Sequence, residues 1–340
     1  MKTITSTTDV SSALSTRVRI SAVLLLAVAL FAACRPQEVK KPPDEVSVQL
    51  KWVHQAQFAG FYLAQERGYY AEENIEVTFI EGGPGIETVE QVVTGQADFG
   101  VDAPESILMR RGQGESIVAI AAIYRRNPTV FIALADSGIE RPTDLLGRTV
   151  AVAGVLDLEL QLEAMIEKLS LDIHQIQIVP HSYDLTPLYN GKMDSIAVYS
   201  TGGLIRARQA GYELSLIWPS DYGVHLYGDT LFTTEQLIEE NPDLVTRFLR
   251  ATLRGWREAI EDTEEAVAIT LKYAKEADAE LQTQMMEASL PLVHTGEDHI
   301  GWMRAEVWEG MHDILLEQGI LEEPFDVGEV YTMEFLESIY

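Results

Sequence analysis

Short apolar runs alternate along most of this chain with stretches whose apolar positions recur every three or four residues. That is the pattern of β-strands joined by crossover helices, and it predicts an α/β fold. Val46–Leu50 reads as a strand, the loop over 51–57 leads to a helix over Ala59–Arg67 stopped by Gly68, and Ile75–Ile80 reads as the next strand. The turn Glu81-Gly-Gly-Pro-Gly85 leads into a helix over Ile86–Thr94 closed by Gly95, then a strand over Phe99–Val101. Asp102 is the expected N-cap of the helix that follows, with Pro104 in its first turn. Val118–Tyr124 and Val130–Ala135 read as further strands.

After Asp144-Leu-Leu-Gly-Arg148 the order repeats: strand Thr149–Ala153, helix Leu158–Leu169, strand Ile176–Pro180, a helical turn over Thr186–Asn190 and strand Ser195–Tyr199. Thr94-Gly-Gln-Ala-Asp98 and Asn190-Gly-Lys-Met-Asp194 hold the same place in the two halves, their Gly and Asp separated by the same interval. Two similar lobes are expected. From Asn241-Pro-Asp onward the chain becomes mostly helical, with amphipathic periods over Leu244–Ile260, Glu264–Lys275 and Arg304–Gln318. These helices are expected to pack back on the first lobe, giving lobe one as 46–135 and 225–340 and lobe two as 136–224.

The first residues do not fit the globular pattern. The apolar run Ile20–Ala33 follows Lys2, Arg17 and Arg19 and has the length of a signal-peptide core, too short to span a bilayer comfortably. Cys34, the single cysteine of 340 residues, stands directly behind Ala32 and Ala33. This resembles a bacterial lipobox, in which the thiol takes a diacylglycerol, although Phe31 stands where such motifs have Leu. The other reading is an ordinary cleaved signal with a chance cysteine, and both imply export. Residues 1–33 are thus expected to be a signal peptide, and 34–45, charged and proline-rich, a lipidated cysteine with a flexible tether. Net charge is −28, and no basic stripe offsets it, which excludes a nucleic-acid surface. The seven histidines have no metal-ligand spacing, no catalytic elbow or thiol nucleophile is present, and neither metal nor cofactor is expected.

Several stretches carry a resemblance: Leu50-Lys-Trp-Val-His-Gln-Ala-Gln-Phe-Ala-Gly-Phe-Tyr-Leu-Ala64, Gly68-Tyr-Tyr with Asn74-Ile-Glu-Val, Gly95-Gln-Ala-Asp-Phe-Gly100, Asp144-Leu-Leu-Gly-Arg148, Asp221-Tyr-Gly223 and Asn241-Pro-Asp-Leu-Val-Thr-Arg-Phe-Leu-Arg-Ala251. Over roughly 46–330 the chain is similar to solute-binding lipoproteins of ABC importers, in the branch that binds thiamine pyrimidine precursors and riboflavin. The resemblance implies a two-lobe periplasmic-binding-protein-like fold of type II, with hinged lobes and a ligand cleft between them. It implies a non-enzymatic receptor, anchored by lipid outside the membrane, that delivers its ligand to an ABC permease and its ATPase; a monomer is expected. Riboflavin is the preferred ligand and a hydroxymethylpyrimidine-type precursor the alternative. An exported enzyme of pyrimidine synthesis and a ligand sensor are remoter rivals. The enzyme of this branch carries a cysteine-rich iron-binding motif that this chain lacks.

Ligands of α/β sheets sit beyond the carboxyl ends of strands. The residues expected there are Trp52, Gln55, Phe58, Tyr62, Asp102 and Tyr124 from lobe one, Tyr183, Tyr199 and Thr201 from lobe two, and Trp218, Asp221 and Tyr222 from the return crossing. Aromatic faces stack on a planar heterocycle, while amides and carboxylates bind its edge. Each aromatic has the alternative of lobe packing, which Phe61, Tyr69 and Tyr70 fit better. His54 reads as an exposed loop residue, and Glu81–Gly85 as a turn offering backbone contacts to a neutral ligand.

Overall fold

Ten strands are assigned within residues 41–340, which the computed structural model describes except for Ser182 and Glu276; Met1 and Thr3 are also described. The strands are β1 (Asp44–Gln49), β2 (Ile75–Ile80), β3 (Phe99–Asp102), β4 (Ile117–Ala122), β5 (Thr129–Leu134), β6 (Thr149–Ala153), β7 (Gln177–Pro180), β8 (Ser195–Tyr199), β9 (Leu214–Ile217) and β10 (Thr230–Thr234). The apolar run Ile20–Ala33, expected to belong to a signal peptide, and Cys34 lie outside the described residues. No helix among the described residues is long and apolar enough to cross a membrane.

The strands form two sheets of five, ordered β2-β1-β3-β10-β4 and β7-β6-β8-β5-β9. Substituting β7, β6, β8, β5 and β9 for β2, β1, β3, β10 and β4 converts one order into the other, and every parallel or antiparallel relation is preserved. The sequence echo has a structural basis. Gly95 and Gly191 both adopt left-handed φ, 70° and 71°. Asp98 Oδ2 accepts the backbone N–H of Ser47 at 2.7 Å, and Asp194 Oδ2 that of Thr149 at 2.8 Å. Each aspartate thus ties its strand to the preceding parallel neighbour, holding the register that aims the strand ends.

A lobe boundary after residue 135 leaves β5 with the first lobe, but β5 hydrogen-bonds to β8 and β9 in the second sheet. The chain therefore crosses between β4 and β5 and returns between β9 and β10; β9 and β10 were not foreseen, being short runs broken by polar residues. The two crossings run side by side: Tyr124 N donates to Asp229 O at 3.0 Å, Gly228 N to Tyr124 O at 2.7 Å and Asn127 N to Leu226 O at 3.0 Å. Asn127 Nδ2 adds a bond to Tyr227 O at 2.9 Å. This paired ribbon joins the two sheets, side-by-side crossings of the kind about which hinged lobes turn in other proteins.

The helix Pro242–Glu261 buries Leu244, Val245, Phe248, Leu249, Leu253 and Trp256 along one face, as its sequence period predicts. It packs on the helix Ala59–Glu66 and on the first sheet, Phe248 stacking on Phe99 at 4.1 Å. The crossing with Ala59–Glu66 is close enough that a Cβ on Gly255 would stand 2.1 Å from the carbonyl oxygen of Gly60.

Candidate functional site

The carboxyl ends of β1, β3, β6 and β8 and the start of β10 bring one charged cluster together between the sheets. Lys51, just after β1, reaches from the first sheet to the second, where its ammonium donates to Tyr199 Oη at 3.2 Å. Tyr199 ends β8 and donates to Asp157 Oδ2 at 2.8 Å, in the first turn of the helix Leu156–Lys168. On the first side Lys51 Nζ stands 3.7 Å from Asp229 Oδ1, an ion pair longer than a hydrogen bond. Asp229 Oδ2 accepts from Gln57 Nε2 at 2.6 Å, and Gln57 Oε1 from Gln55 Nε2 at 2.5 Å.

Burial works against a charged Lys51, but Tyr199, Asp229, Asp157 and Asp102 around it outweigh that and hold the ammonium well above the ordinary lysine value. Burial raises Tyr199, with Asp157 adding and Lys51 opposing. Burial also lifts Asp229 against the pull of Lys51, and pushes Asp102 up to about 6. Glu105, in the first turn of the helix Pro104–Gly112, is pushed to about 8 by burial, with the charge of Asp157 next. Asp229 Oδ1 and both carboxyl oxygens of Glu105 are buried without a hydrogen-bond partner.

Trp52 and Tyr183 face one another from opposite lobes, their rings 5.0 Å apart and tilted by 49°. Tyr183, 62% exposed, lies beyond β7 and meets the His181 ring edge-on at 5.0 Å. The loop carrying Lys51 and Trp52 is fixed from both sides. Ala56 N donates to Gln282 Oε1 at 2.7 Å and His54 N to Glu81 Oε1 at 2.9 Å. The glycine-rich turn therefore supports this loop: Gly82 N donates to Trp52 O at 3.1 Å, and a Cβ on Gly82 would lie 2.1 Å from Leu50 O. Gly82 packs on the loop in this way, while Pro84 and Gly85 of the same turn are exposed.

Of the sequence candidates, Trp52, Gln55, Asp102, Tyr183 and Tyr199 belong to this region. Asp102 ends β3 instead of capping the next helix, whose N-cap is Ala103; its Oδ1 accepts from Ala103 N at 2.8 Å. Phe58, Tyr62 and Tyr124 are wholly buried in the larger core. Tyr62 stacks on Tyr273 at 4.2 Å and bonds His54 Nδ1 at 2.8 Å, so that histidine is engaged and not merely exposed. Tyr124 bonds Ser289 Oγ at 2.7 Å. The C-terminal helices close over these rings, and Tyr124 lies near enough to Asp229 and Lys51 for their charges to act on its phenol. Thr201 is buried just beyond β8. Trp218 packs against the second sheet's small core, whereas Asp221 is exposed and Tyr222 half-buried on the turn Pro219–Tyr222, which packs on the helix Leu156–Lys168. Lys51, Glu105, Asp157 and Asp229 were not among the expected site residues, whereas Gln57 was expected beside Gln55 as an edge-binding amide. The available signal was position: Lys51 follows a strand end just as Trp52 does.

Comparison with known proteins gives a consistent frame. The family model described as NMT1/THI5 like matches residues 55–266. The formylaminopyrimidine-binding protein of Halalkalibacterium halodurans is 25% identical over 89% of this chain and 96% of its own length. The riboflavin-binding protein RibY of Chloroflexus aurantiacus is 26% identical over 86% of each chain. A 4-amino-5-hydroxymethyl-2-methylpyrimidine phosphate synthase of Legionella pneumophila is 25% identical over 86% of this chain and 92% of its own. Among solved structures, the periplasmic aliphatic sulphonate binding protein SsuA of Escherichia coli superposes with a TM-score of 0.69 at 15% identity, covering 84% of this chain and 91% of that one. The fold is that of the two-lobe periplasmic binding proteins.

Proposed function

Because the chain belongs to the NMT1/THI5-like family, we propose that it is an extracytoplasmic solute-binding protein of an ABC importer, closing two lobes on a flat, uncharged heteroaromatic vitamin or vitamin precursor. The observation that carries this reading is the pairing of Trp52 and Tyr183 from opposite lobes beside buried carboxyl oxygens without partners. Opening the lobes parts the two rings and frees each to stack on a planar guest, worth about 0.5–1.5 kcal/mol beyond area burial. Polar groups on the guest's edge or tail then satisfy the buried carboxyl groups, whose isolation otherwise costs about 1–3 kcal/mol each. Ligand binding draws the population toward the shut state because both lobes are contacted only there.

The charges speak against an anionic guest. A phosphate or sulfonate would meet Asp102, Asp157 and Asp229, with the one lysine already engaged. Riboflavin supplies both a large stacking ring and hydroxyl donors, and is the preferred ligand; a formylated aminopyrimidine is the second reading, supported by the relative that binds one. The synthase relative raises the enzymatic alternative. A lysine acting through a Schiff base must shed its proton, and the carboxylates around Lys51 oppose that. Binding without turnover is the better reading. Lipid attachment at Cys34 would hold this receptor at the outer face of the membrane, beside its permease.

A thermal-shift screen of the full chain against riboflavin, a formylated aminopyrimidine, thiamine and riboflavin phosphate tests the proposal. A ligand at a hundredfold excess over its Kd adds about 2.7 kcal/mol, or several degrees. Stabilisation is expected from riboflavin and not from its phosphate. A response to the aminopyrimidine alone transfers the assignment to the second reading, and no response to either overturns it.

A further inference from the structure

Glu105 is the one wholly buried carboxyl among the described residues with neither oxygen hydrogen-bonded to another residue, its own backbone N–H being the donor beside it. It stands in the first turn of the helix Pro104–Gly112, three residues beyond the end of β3, where ligand-facing groups of this fold lie. A helix N-terminus favours a carboxylate, and Lys51 nearby does the same. Against them stand burial and the negative charges of Asp157 from the opposite lobe and Asp102 from β3. Also packed on this helix are the helices Thr88–Val93 and Ala305–Glu317, the latter with Glu306, Glu309 and Asp313 exposed to solvent. β4 (Ile117–Ala122) holds no titratable side chain. Arg110 pairs with Glu90 and Glu115, and Arg111 with Glu235 and Glu329, all at the far end of the helix. His312 of the helix Ala305–Glu317 meets Phe325, which flanks Gly112 at that same end.

We infer that Glu105 is a ligand-recognition residue that works as a neutral carboxylic acid, presenting a hydroxyl donor and a carbonyl acceptor side by side. Its complement is a heterocycle edge carrying an acceptor next to a donor: a ring nitrogen beside an amino group, or a ring carbonyl beside an N–H. Such an edge satisfies both lone oxygens at once, which water-excluding closure of the lobes otherwise leaves bare. Aminopyrimidines and the carbonyl-bearing ring of flavins both have that edge, so the inference rests on the proposed function and adds to it a group that selects the ligand. With the acid ionised, the donor is lost and two acceptors remain, so affinity falls as pH rises through the titration near 8.

Calorimetric titration of the full chain with riboflavin and with a formylated aminopyrimidine, from pH 6 to 9.5, tests this. Wild-type affinity for the ligand that binds is expected to drop roughly tenfold between pH 8 and 9.5. Glu105→Gln keeps a donor and an acceptor without a titrating proton. It should bind within a few-fold of wild type at pH 7 and lose the drop, while any titration of the ligand itself affects both proteins alike. Glu105→Ala should bind at least about tenfold more weakly at pH 7. Equal affinity of Glu105→Ala and wild type, or an unchanged pH profile in Glu105→Gln, overturns the assignment and leaves the proposed function standing. Failure of wild type to bind either probe overturns both.

Discussion

Lys51 is the residue on which the two lobes meet, and its surroundings are built from distant parts of the chain. Removing its charge leaves Asp229 buried beside nothing positive, so Lys51→Met is expected to destabilise the protein by about 3 kcal/mol, read from the urea midpoint. Adding Asp229→Asn should restore most of that loss; a single mutant as stable as wild type would show that the ion pair contributes nothing. Trp52→Ala tests the opposite wall. If its ring stacks on the guest, affinity for riboflavin drops by about tenfold with little change in stability. Unchanged affinity together with a lowered melting temperature would make Trp52 a packing residue. Sequence position pointed to Trp52, Asp102, Tyr183 and Tyr199, because strand ends can be read from apolar runs. It missed Lys51, since a lone loop lysine looks solvated until Asp157, Tyr199 and Asp229 are folded around it. Phe58, Tyr62 and Tyr124, also expected from strand ends, are buried by helices more than a hundred residues away, which no strand pattern reveals.

At the scale of elements, the helix pair Ala59–Glu66 and Pro242–Glu261 holds the site's opening loop in place. Their backbones approach so closely at Gly60 and Gly255 that a methyl at Gly255 overlaps the Gly60 carbonyl and the Ala64 side chain. Gly255→Ala is therefore expected to cost about 1–3 kcal/mol in chemical unfolding, despite the better helix propensity of alanine. A neutral or stabilising result would mean that the pair slides apart freely. The helical period of Pro242–Glu261 was plain in the sequence, as were the paired Gly and Asp of the two halves. The short strands β9 and β10 were not, because four or five residues with interrupting polar groups carry too little pattern. With them went the point at which the chain changes sheets.

For the whole molecule, the buried acids set how stability depends on pH. Asp102 and Glu105 both have folded-state values above their unfolded ones, so each contributes fully below its unfolded value and loses that contribution as pH rises. The loss spans roughly pH 4 to 6 for Asp102 and 4.5 to 8 for Glu105. Melting temperature of the unliganded protein is expected to decline between pH 5 and 8, and Glu105→Gln should flatten that decline; parallel curves for the two proteins would contradict the assigned protonation. If Cys34 carries a lipid, labelling of cells with a tagged fatty acid should mark the wild-type protein and not Cys34→Ser; equal labelling of both would place the anchor elsewhere.

The strand exchange between halves has a bearing on how such a chain is made. β10 lies in the interior of the first sheet yet is synthesised after every strand of the second, whereas β5, its counterpart, precedes every other strand of its own sheet. While β1 to β4 emerge, the slot between β3 and β4 has no occupant, and that sheet stays incomplete until residues near Thr234 arrive. Completion of the first sheet, and with it the meeting of Lys51 and Asp229, is therefore tied to the arrival of the second sheet's whole sequence.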